Sequence, residues 1–135
     1  MSDKPKIIKS KKGEIVKRKP LISVIITNYN YGQYVARAIR SVLAQTYKNI
    51  ELIIINDGST DNSDEVIQGI ISQNPERNIR YVSRENKGIV YTRNEAIELA
   101  KGEFISYLDA DDYFNSSYIS KSYRIVESSG ADVVY

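Results

Sequence analysis

Two aspartates separated by one small residue follow an apolar run that is typical of a buried strand. Asp109 and Asp111 come directly after residues 104–108, with Ala110 between them. In extended backbone, residues two apart point the same way, so the two carboxylates repel each other unless a cation lies between them. A divalent ion held there could grip a diphosphate and neutralise it as a leaving group. Asp-x-Asp is also common by chance, and these residues could instead cap the next helix or solvate a loop.

Three further positions carry side chains that suit a nucleotide. Tyr29 has a ring that could stack on a nucleobase, a contact worth about 1–3 kcal/mol. Asp57 could accept hydrogen bonds from a base or a ribose, although Asp57-Gly58 is also a strong turn signal. Arg93 could pair with a phosphate, and could equally be a solvated arginine on a helix surface.

The composition limits the chemistry that these residues can support. The chain has no cysteine and no histidine, which excludes disulfides, thiolate chemistry and a Ser-His-Asp triad. Any metal must therefore be held by oxygen ligands, which favours Mn²⁺, Mg²⁺ or Ca²⁺. The glycine-rich patterns of dinucleotide-binding folds and of P-loops are also absent, so neither hydride transfer nor P-loop phosphoryl transfer is supported.

The elements that position these residues alternate between strand and helix. Short apolar runs rich in β-branched residues predict buried strands, at 21–27, 50–55, 79–82, 104–108 and, as the start of a fifth, 132–135. Apolar residues at helical spacing predict helices, at 35–43, 62–72, 88–101 and 116–128. Asp61 or Asn62 is suited to cap the second helix, and Gly102 is placed to end the third.

This alternation predicts an α/β fold with a mostly parallel sheet and helices on both faces. Ligands of such sheets bind at the carboxyl ends of the strands. The polar clusters at 28–30, 57–59 and 109–112 follow the first, second and fourth strands. We therefore expect all three clusters to converge on one rim of the sheet.

Residues 1–20 form a basic leader ahead of the predicted domain at 21–135. Eight lysines and arginines against Asp3 and Glu14 give the leader a charge of +6, which leaves −4 for the rest of a chain whose net charge is +2. We expect a flexible arm or a small hairpin here. A nucleic-acid partner is not expected, because the remainder lacks a basic face. With no secretory signal, we predict a cytoplasmic protein, with peripheral association at the inner face of the membrane as a further option.

Four blocks of sequence, taken together, resemble the family 2 glycosyltransferases of the GT-A fold. The blocks lie at 24–30, 53–61, 86–94 and 107–112, in the order and at the spacing that are usual in the family, and the likeness extends over 21–135. The resemblance implies a Rossmann-like domain that binds a nucleoside diphosphate sugar, often UDP-linked. It places Thr27, Tyr29 and Asn30 at the nucleotide, Asp57 against the base ring, and Arg93 near the base or the phosphates.

The same resemblance implies the chemistry. Asp109 would face the ribose or the sugar, and Asp111, together with Asp109, would ligate Mn²⁺ or Mg²⁺ that grips the diphosphate. The reaction would be a direct displacement at the anomeric carbon, with inversion, onto the hydroxyl of a glycan or lipid-linked acceptor in polysaccharide biosynthesis. One local departure is Asn56, where the family often has aspartate.

A second departure concerns the acceptor. We expect the acceptor-binding half, with the general base, to lie beyond Tyr135, so no catalytic base is expected in this chain and the GT-A domain is expected to be incomplete. Without a positioned base a hydroxyl nucleophile is poorly activated, and the chain alone should transfer little or no sugar. A non-catalytic module that binds a nucleotide sugar fits the same motifs and stays open as an alternative. A sugar-nucleotide pyrophosphorylase or a receiver domain is disfavoured, because the required glycine-rich loop or acidic pair is absent after the first strand.

Overall fold

The computed structural model describes residues 7–9, 15–17 and 19–130 and places a four-stranded sheet at their centre. The strands of this sheet are β3 (Ile22–Asn28), β4 (Ile50–Asp57), β5 (Ile79–Arg84) and β6 (Phe104–Asp109). The helices are α1 (Val35–Leu43), α2 (Ser63–Gln73), α3 (Ile89–Leu99) and α4 (Tyr118–Ser129). In the leader, β1 (Ile7–Lys9) pairs antiparallel with β2 (Ile15–Lys17). The strand predicted at 132–135 lies outside the described residues.

The four strands run parallel in the order β5-β4-β3-β6. Their register pairs Thr27 with Asp109 and Asp57 with Arg84. The carboxyl ends of the strands therefore meet at one edge of the sheet. The predicted α/β fold with a parallel sheet is confirmed.

Helices cover both faces of this sheet. On one face, buried aliphatic side chains such as Ile26 and Ile54 pack against α1, α2 and α4. On the other face, Ile25, Ile53 and Ile55 pack against Ala96 of α3. The valine, leucine and isoleucine side chains in the middle of β3 and β4 are almost fully buried on both sides, which is why these two strands read as continuous apolar runs rather than as alternating patterns.

The sequence predicted that Gly102 ends α3, and this prediction is wrong. The helix ends at Leu99, and Ala100 is already extended with φ −67° and ψ 130°. Gly102 instead lies against β3, where an added Cβ would be 2.6 Å from both the amide nitrogen and Oγ of Ser23. The glycine is needed because two backbone segments approach closely, a requirement that helix periodicity does not reveal.

Candidate functional site

A cleft of about 490 Å³ opens at the carboxyl ends of the strands. Six of the seven residues that the sequence assigned to a ligand line this cleft: Thr27, Tyr29, Asp57, Arg93, Asp109 and Asp111. The structure therefore brings the three polar loops together at one rim, as the sequence predicts. The cleft also contains residues that the sequence did not single out, among them Tyr31, Asn86, Ile89 and Thr92.

Asp57 is the buried carboxylate of this cleft, with a side chain only 7% exposed. One of its oxygens accepts hydrogen bonds from Arg84 Nη1 at 2.5 Å and from the Lys87 amide at 2.7 Å. The other accepts from the Gly88 amide at 3.1 Å and from Asn86 Nδ2 at 3.3 Å. A carboxylate offers about four lone-pair sites, so these donors occupy all of them. A base N–H that reached Asp57 would have to share an oxygen with one of them.

Arg84 is the functional residue that sequence reasoning missed. Its guanidinium donates to Asp57, to Glu95 Oε1 at 2.8 Å from Nη2, and to Thr92 Oγ1 at 3.0 Å. Glu95 and Thr92 belong to α3, so Arg84 joins that helix to the end of β4. The signal was available in principle, because an arginine that becomes largely buried at the end of a strand needs a partner. The predicted strand ended at Val82, however, and left Arg84 in a loop.

These contacts control the charge of Asp57. Burial raises the pKa of Asp57, but the hydrogen bond from the Lys87 amide, the Arg84 hydrogen bond and charge, and the Gly88 amide lower it by more. The net pKa is below the ordinary value of 3.8. Asp57 is therefore ionised at neutral pH and holds the loop between β5 and α3 in place before any ligand arrives.

Gly58 is required by the same arrangement, which leads to a prediction about stability. Gly58 has φ +73°, and an added Cβ would lie 2.3 Å from the Asn86 amide nitrogen. Gly58→Ala is expected to lower the free energy of unfolding by at least about 2 kcal/mol, since left-handed strain alone costs roughly 1–2 kcal/mol. Urea unfolding monitored by circular dichroism measures this change.

Gly69 provides the matched control, because it lies within α2 and an added Cβ would meet nothing within 4 Å. Gly69→Ala is expected to raise the free energy of unfolding by about 0.5–1 kcal/mol, the ordinary gain from replacing glycine in a helix. Equal stability of the two variants would contradict the close packing of Gly58 against Asn86.

Asn30 is the one predicted ligand residue that does not line the cleft. Its Oδ1 accepts hydrogen bonds from the amides of Thr60 and Asp61, at 2.7 Å and 3.3 Å, and its φ is +56°. Asp61 makes a second contact between the same two loops, because its Oδ2 accepts a hydrogen bond from the Gly32 amide at 2.9 Å. Its Oδ1 accepts a hydrogen bond from the Ser63 amide at the start of α2. Asn30 and Asp61 thus connect the loops after β3 and β4. The side chain of Asn62 makes no capping hydrogen bond.

Asn56 also has a structural explanation. Its Oδ1 accepts from Asn28 Nδ2 at 3.1 Å, and its Nδ2 donates to the Tyr81 hydroxyl at 3.3 Å. That hydroxyl donates in turn to Asp64 Oδ1 at 2.7 Å. An amide can accept on one side and donate on the other, which an ionised carboxylate cannot do. Asparagine therefore suits this buried position on the face of the sheet opposite to Asp57.

Asp109 and Asp111 lie at the other end of the cleft. The sequence predicted extended backbone between them, and this prediction is wrong. The chain turns directly after β6, where the Asp112 amide donates to the Asp109 carbonyl at 3.0 Å. Both carboxylates nevertheless line the cleft, and both residues are exposed. Arg93 Nη2 lies 4.0 Å from Asp109 Oδ1, with the two side chains 50% and 70% exposed. An ion pair this exposed adds little stability, so Asp109 is available to other cations.

The donor set fits a hard divalent cation that is shared with a ligand. In residues 7–9, 15–17 and 19–130, no group of three or more acidic, histidine or cysteine side chains comes together as a complete metal site. Mg²⁺ and similar ions are commonly held by one or two carboxylates, with phosphates and water completing the shell. Arg37 fixes the turn that carries these carboxylates, because its Nη2 donates to the Asp111 carbonyl at 3.2 Å.

Comparison with known proteins gives consistent matches. The model of the family described as Glycosyl transferase family 2 matches residues 23–135. The chain is 41% identical over 115 residues to glycosyltransferase GlyG of Streptococcus pneumoniae serotype 4, and the match covers 84% of this chain and 38% of GlyG.

Solved structures are similar as well. S. aureus TarS in complex with UDP-GlcNAc is 26% identical with a TM-score of 0.71, and the match covers 80% of this chain and 31% of that one. The mannosyltransferase PcManGT from Pyrobaculum calidifontis, in complex with GDP-Man and Mn²⁺, has the same fold with a TM-score of 0.76 at 20% identity, over 80% of this chain and 32% of that one. The chain thus spans well under half of the length of each of these proteins. In the part of the chain that the structure describes, no helix is both long and apolar enough to cross a membrane.

Proposed function

The chain belongs to glycosyl transferase family 2 and has the α/β GT-A fold, and from that premise we propose that it holds the donor site of a metal-assisted, inverting glycosyltransferase. The proposed donor is a nucleoside diphosphate sugar, with UDP favoured as the nucleotide. The observation that carries this proposal is the single cleft in which the buried carboxylate Asp57 and the exposed carboxylates Asp109 and Asp111 face one ligand space. The nucleotide sugar complexes of TarS and PcManGT support it.

The nucleoside occupies the end of the cleft formed by β3 and β4. Thr27 and Tyr29 flank the base, and the ring of Tyr29, which is 49% exposed, offers a face for stacking. Asp57 and the loop that it organises form the wall against which the edge of the base lies. Because Asn30 and Asp61 already tie the two loops together, this end of the cleft loses little conformational entropy on binding.

The diphosphate lies toward β6. Asp111, with Asp109 beside it, would hold Mn²⁺ or Mg²⁺, which when bound stabilises the negative charge of the departing nucleoside diphosphate. Arg93, at the same end, adds a positive charge on a flexible side chain within reach of the phosphates. The described residues thus bind and orient the donor, and the reaction that follows is an attack on the anomeric carbon with inversion.

The acceptor is a glycan or lipid-linked hydroxyl, and a general base outside this chain deprotonates it. We therefore propose that the chain alone binds the donor and transfers little or no sugar. We place the enzyme in the cytoplasm, with peripheral association at the inner face of the membrane as a further option. The acceptor and the location are proposed for the whole enzyme, of which this chain supplies the donor-binding part.

Isothermal titration calorimetry with UDP tests the proposal. We expect UDP to bind in the presence of Mn²⁺ and to bind at least about tenfold more weakly after chelation of the metal with EDTA, since a shared cation contributes several kcal/mol of charge stabilisation. ADP serves as the control ligand, because it has the same diphosphate and a larger base. Absence of UDP binding with Mn²⁺ would overturn the proposed function.

A further inference from the structure

The side chain of Arg84 uses all five of its N–H groups, the full number that an arginine has. Its Nε and Nη2 donate to Glu95 Oε1 at 3.0 Å and 2.8 Å, and Nη2 also donates to Thr92 Oγ1 at 3.0 Å. Its Nη1 donates to Asp57 Oδ1 at 2.5 Å and to the Glu85 carbonyl at 2.9 Å. Because every donor is occupied, the guanidinium has a single orientation and holds these four residues at fixed distances from one another.

Arg84 lies behind one wall of the donor cleft. This wall is formed by the end of β4 and by residues 85–88, which connect β5 to α3 and which we call the β5–α3 loop. Asp57, Asn86 and Gly88 line the cleft. Arg84 does not line it, and its side chain is 14% exposed. The guanidinium therefore contacts residues of the wall without reaching the space that a ligand would occupy.

The backbone of the β5–α3 loop is anchored on Arg84 and on the residues that Arg84 holds. The Glu85 carbonyl accepts a hydrogen bond from Arg84 itself. The Gly88 amide donates to Asp57 at 3.1 Å, and the Gly88 carbonyl accepts from Thr92 Oγ1 at 2.7 Å. Gly88 has φ +88°, and a glycine visits many backbone conformations unless its neighbours hold it. Loss of the guanidinium would therefore release several anchors of the loop together.

We propose that Arg84 is a positioning residue for the nucleoside of the donor: it holds the β5–α3 loop against Asp57, so that this wall of the cleft is formed before the nucleotide binds. The inference rests on the proposed function, since it takes the nucleoside to lie at the end of the cleft near Asp57. A preformed wall spares the ligand the cost of ordering the loop. If the loop has the binding arrangement only a tenth of the time, the apparent dissociation constant rises about tenfold.

The effect of Arg84 is confined to ligands that carry a nucleoside. Its partners are on β4, in the β5–α3 loop and on α3, whereas Asp109 and Asp111 follow β6 at the other end of the cleft. A ligand that consists of the diphosphate alone needs the cation at Asp109 and Asp111 but not the nucleoside wall. Inorganic pyrophosphate is therefore the probe that separates a positioning role from a general loss of structure.

The test measures dissociation constants for UDP and for inorganic pyrophosphate by calorimetry with Mn²⁺, on the wild-type chain and on Arg84→Lys. Lysine keeps the positive charge, but its single nitrogen cannot reproduce the planar fork that reaches Asp57, Thr92 and Glu95 together. We expect the dissociation constant for UDP to rise about tenfold in Arg84→Lys. The value for pyrophosphate should stay within about twofold of the wild type, because its binding does not depend on the loop. Circular dichroism confirms that each variant is folded.

Arg80→Lys is the matched control, because Arg80 is an exposed arginine on the same strand whose side chain makes no hydrogen bond or ion pair with residues 19–130. Both of its dissociation constants should equal those of the wild type. Glu95→Gln is a milder second variant that decides the matter if Arg84→Lys does not fold. It keeps an acceptor oxygen for Arg84 but removes the charge, and it should raise the dissociation constant for UDP about threefold without changing that for pyrophosphate.

The inference is overturned if the folded variant binds UDP as tightly as the wild type does, or if UDP and pyrophosphate are weakened equally. It is also overturned if Arg80→Lys shows the same selective loss of UDP binding. Failure of UDP or of pyrophosphate to bind to the wild-type chain with Mn²⁺ overturns the proposed function instead, and the role of Arg84 with it.

Discussion

Asp111→Asn is expected to abolish the metal dependence of nucleotide binding while leaving the fold intact. Asp111 is exposed and its carboxylate has no hydrogen-bond partner among residues 19–130, so its loss removes no described contact within the chain. An amide oxygen is a poorer ligand than a carboxylate for a hard cation. Substitution of residues that only hydrogen-bond to a metal ligand already lowers metal affinity about 10- to 100-fold. We expect the apparent affinity for Mn²⁺ in the presence of UDP to fall by at least roughly 100-fold.

Asp112→Asn is the control for the loss of one negative charge. Asp112 lies next to Asp111 and is equally exposed, but it does not line the donor cleft, and its Oδ1 accepts from the Tyr113 amide at 2.8 Å. The affinity of the Asp112→Asn variant for Mn²⁺ should stay within about threefold of the wild-type value, because the lost charge is exposed and screened by salt. Titration of Mn²⁺ against a fixed UDP concentration measures both variants. The same decrease in Asp112→Asn as in Asp111→Asn would contradict the assignment of the metal ligand.

Asp57→Asn should destabilise the fold more than any surface change, by about 1–3 kcal/mol in the free energy of unfolding, the scale of leaving buried hydrogen-bonding groups unsatisfied. The substitution leaves the guanidinium of Arg84 largely buried beside an uncharged amide, and it turns one oxygen that accepts two hydrogen bonds into a donor. Arg84 keeps its ion pair with Glu95 at 2.8 Å, so the cost comes from the loss of one of its two carboxylate partners and from the donors left unsatisfied at position 57. Adding Arg84→Met to Asp57→Asn should recover part of the loss. Chemical unfolding of the two single variants and the double variant gives the coupling energy.

The pH dependence of stability provides an independent check on Asp57. Its pKa is lower in the folded state than in the unfolded chain, so the contribution to stability is fully present above the unfolded value of 3.8. That contribution is lost as the pH falls through the folded pKa. Between about pH 5 and pH 3, wild-type stability should therefore decrease more steeply than that of Asp57→Asn. Parallel pH profiles would show that the carboxylate does not gain its stabilisation from the network around Arg84.

The alternation of strands and helices was predictable from the sequence because burial on both faces leaves an unmistakable pattern. Apolar side chains fill the middle of strands such as β4, where Leu52, Ile53 and Ile54 point alternately to two cores. The parallel arrangement then brings the strand ends to one edge, which is why the sequence alone predicts that Asp57, Asp109 and Asp111 lie together. The family resemblance is confirmed by the match over residues 23–135.

The hydrogen-bond partners within the rim were not predictable in the same way. Asn30 was assigned to the ligand on its position in the loop, whereas its amide joins two loops that are thirty residues apart in sequence. Arg84 was overlooked because its importance comes from the register that places it beside Asp57. Periodicity reports which face a residue occupies, but it does not report which donors saturate a given carboxylate. Polar networks depend on distances between loops, and these follow from the tertiary structure.

A crystal structure of the chain with UDP and Mn²⁺ would show whether the cleft at the carboxyl ends of the strands is a donor site. We expect one ion in the density at the carboxyl end of β6, ligated by Asp111 and by oxygens of both phosphates, with uracil stacked near Tyr29 and bordered by Asp57. An ion bound elsewhere, or a nucleotide seated away from the rim formed by β3, β4 and β6, would contradict this expectation.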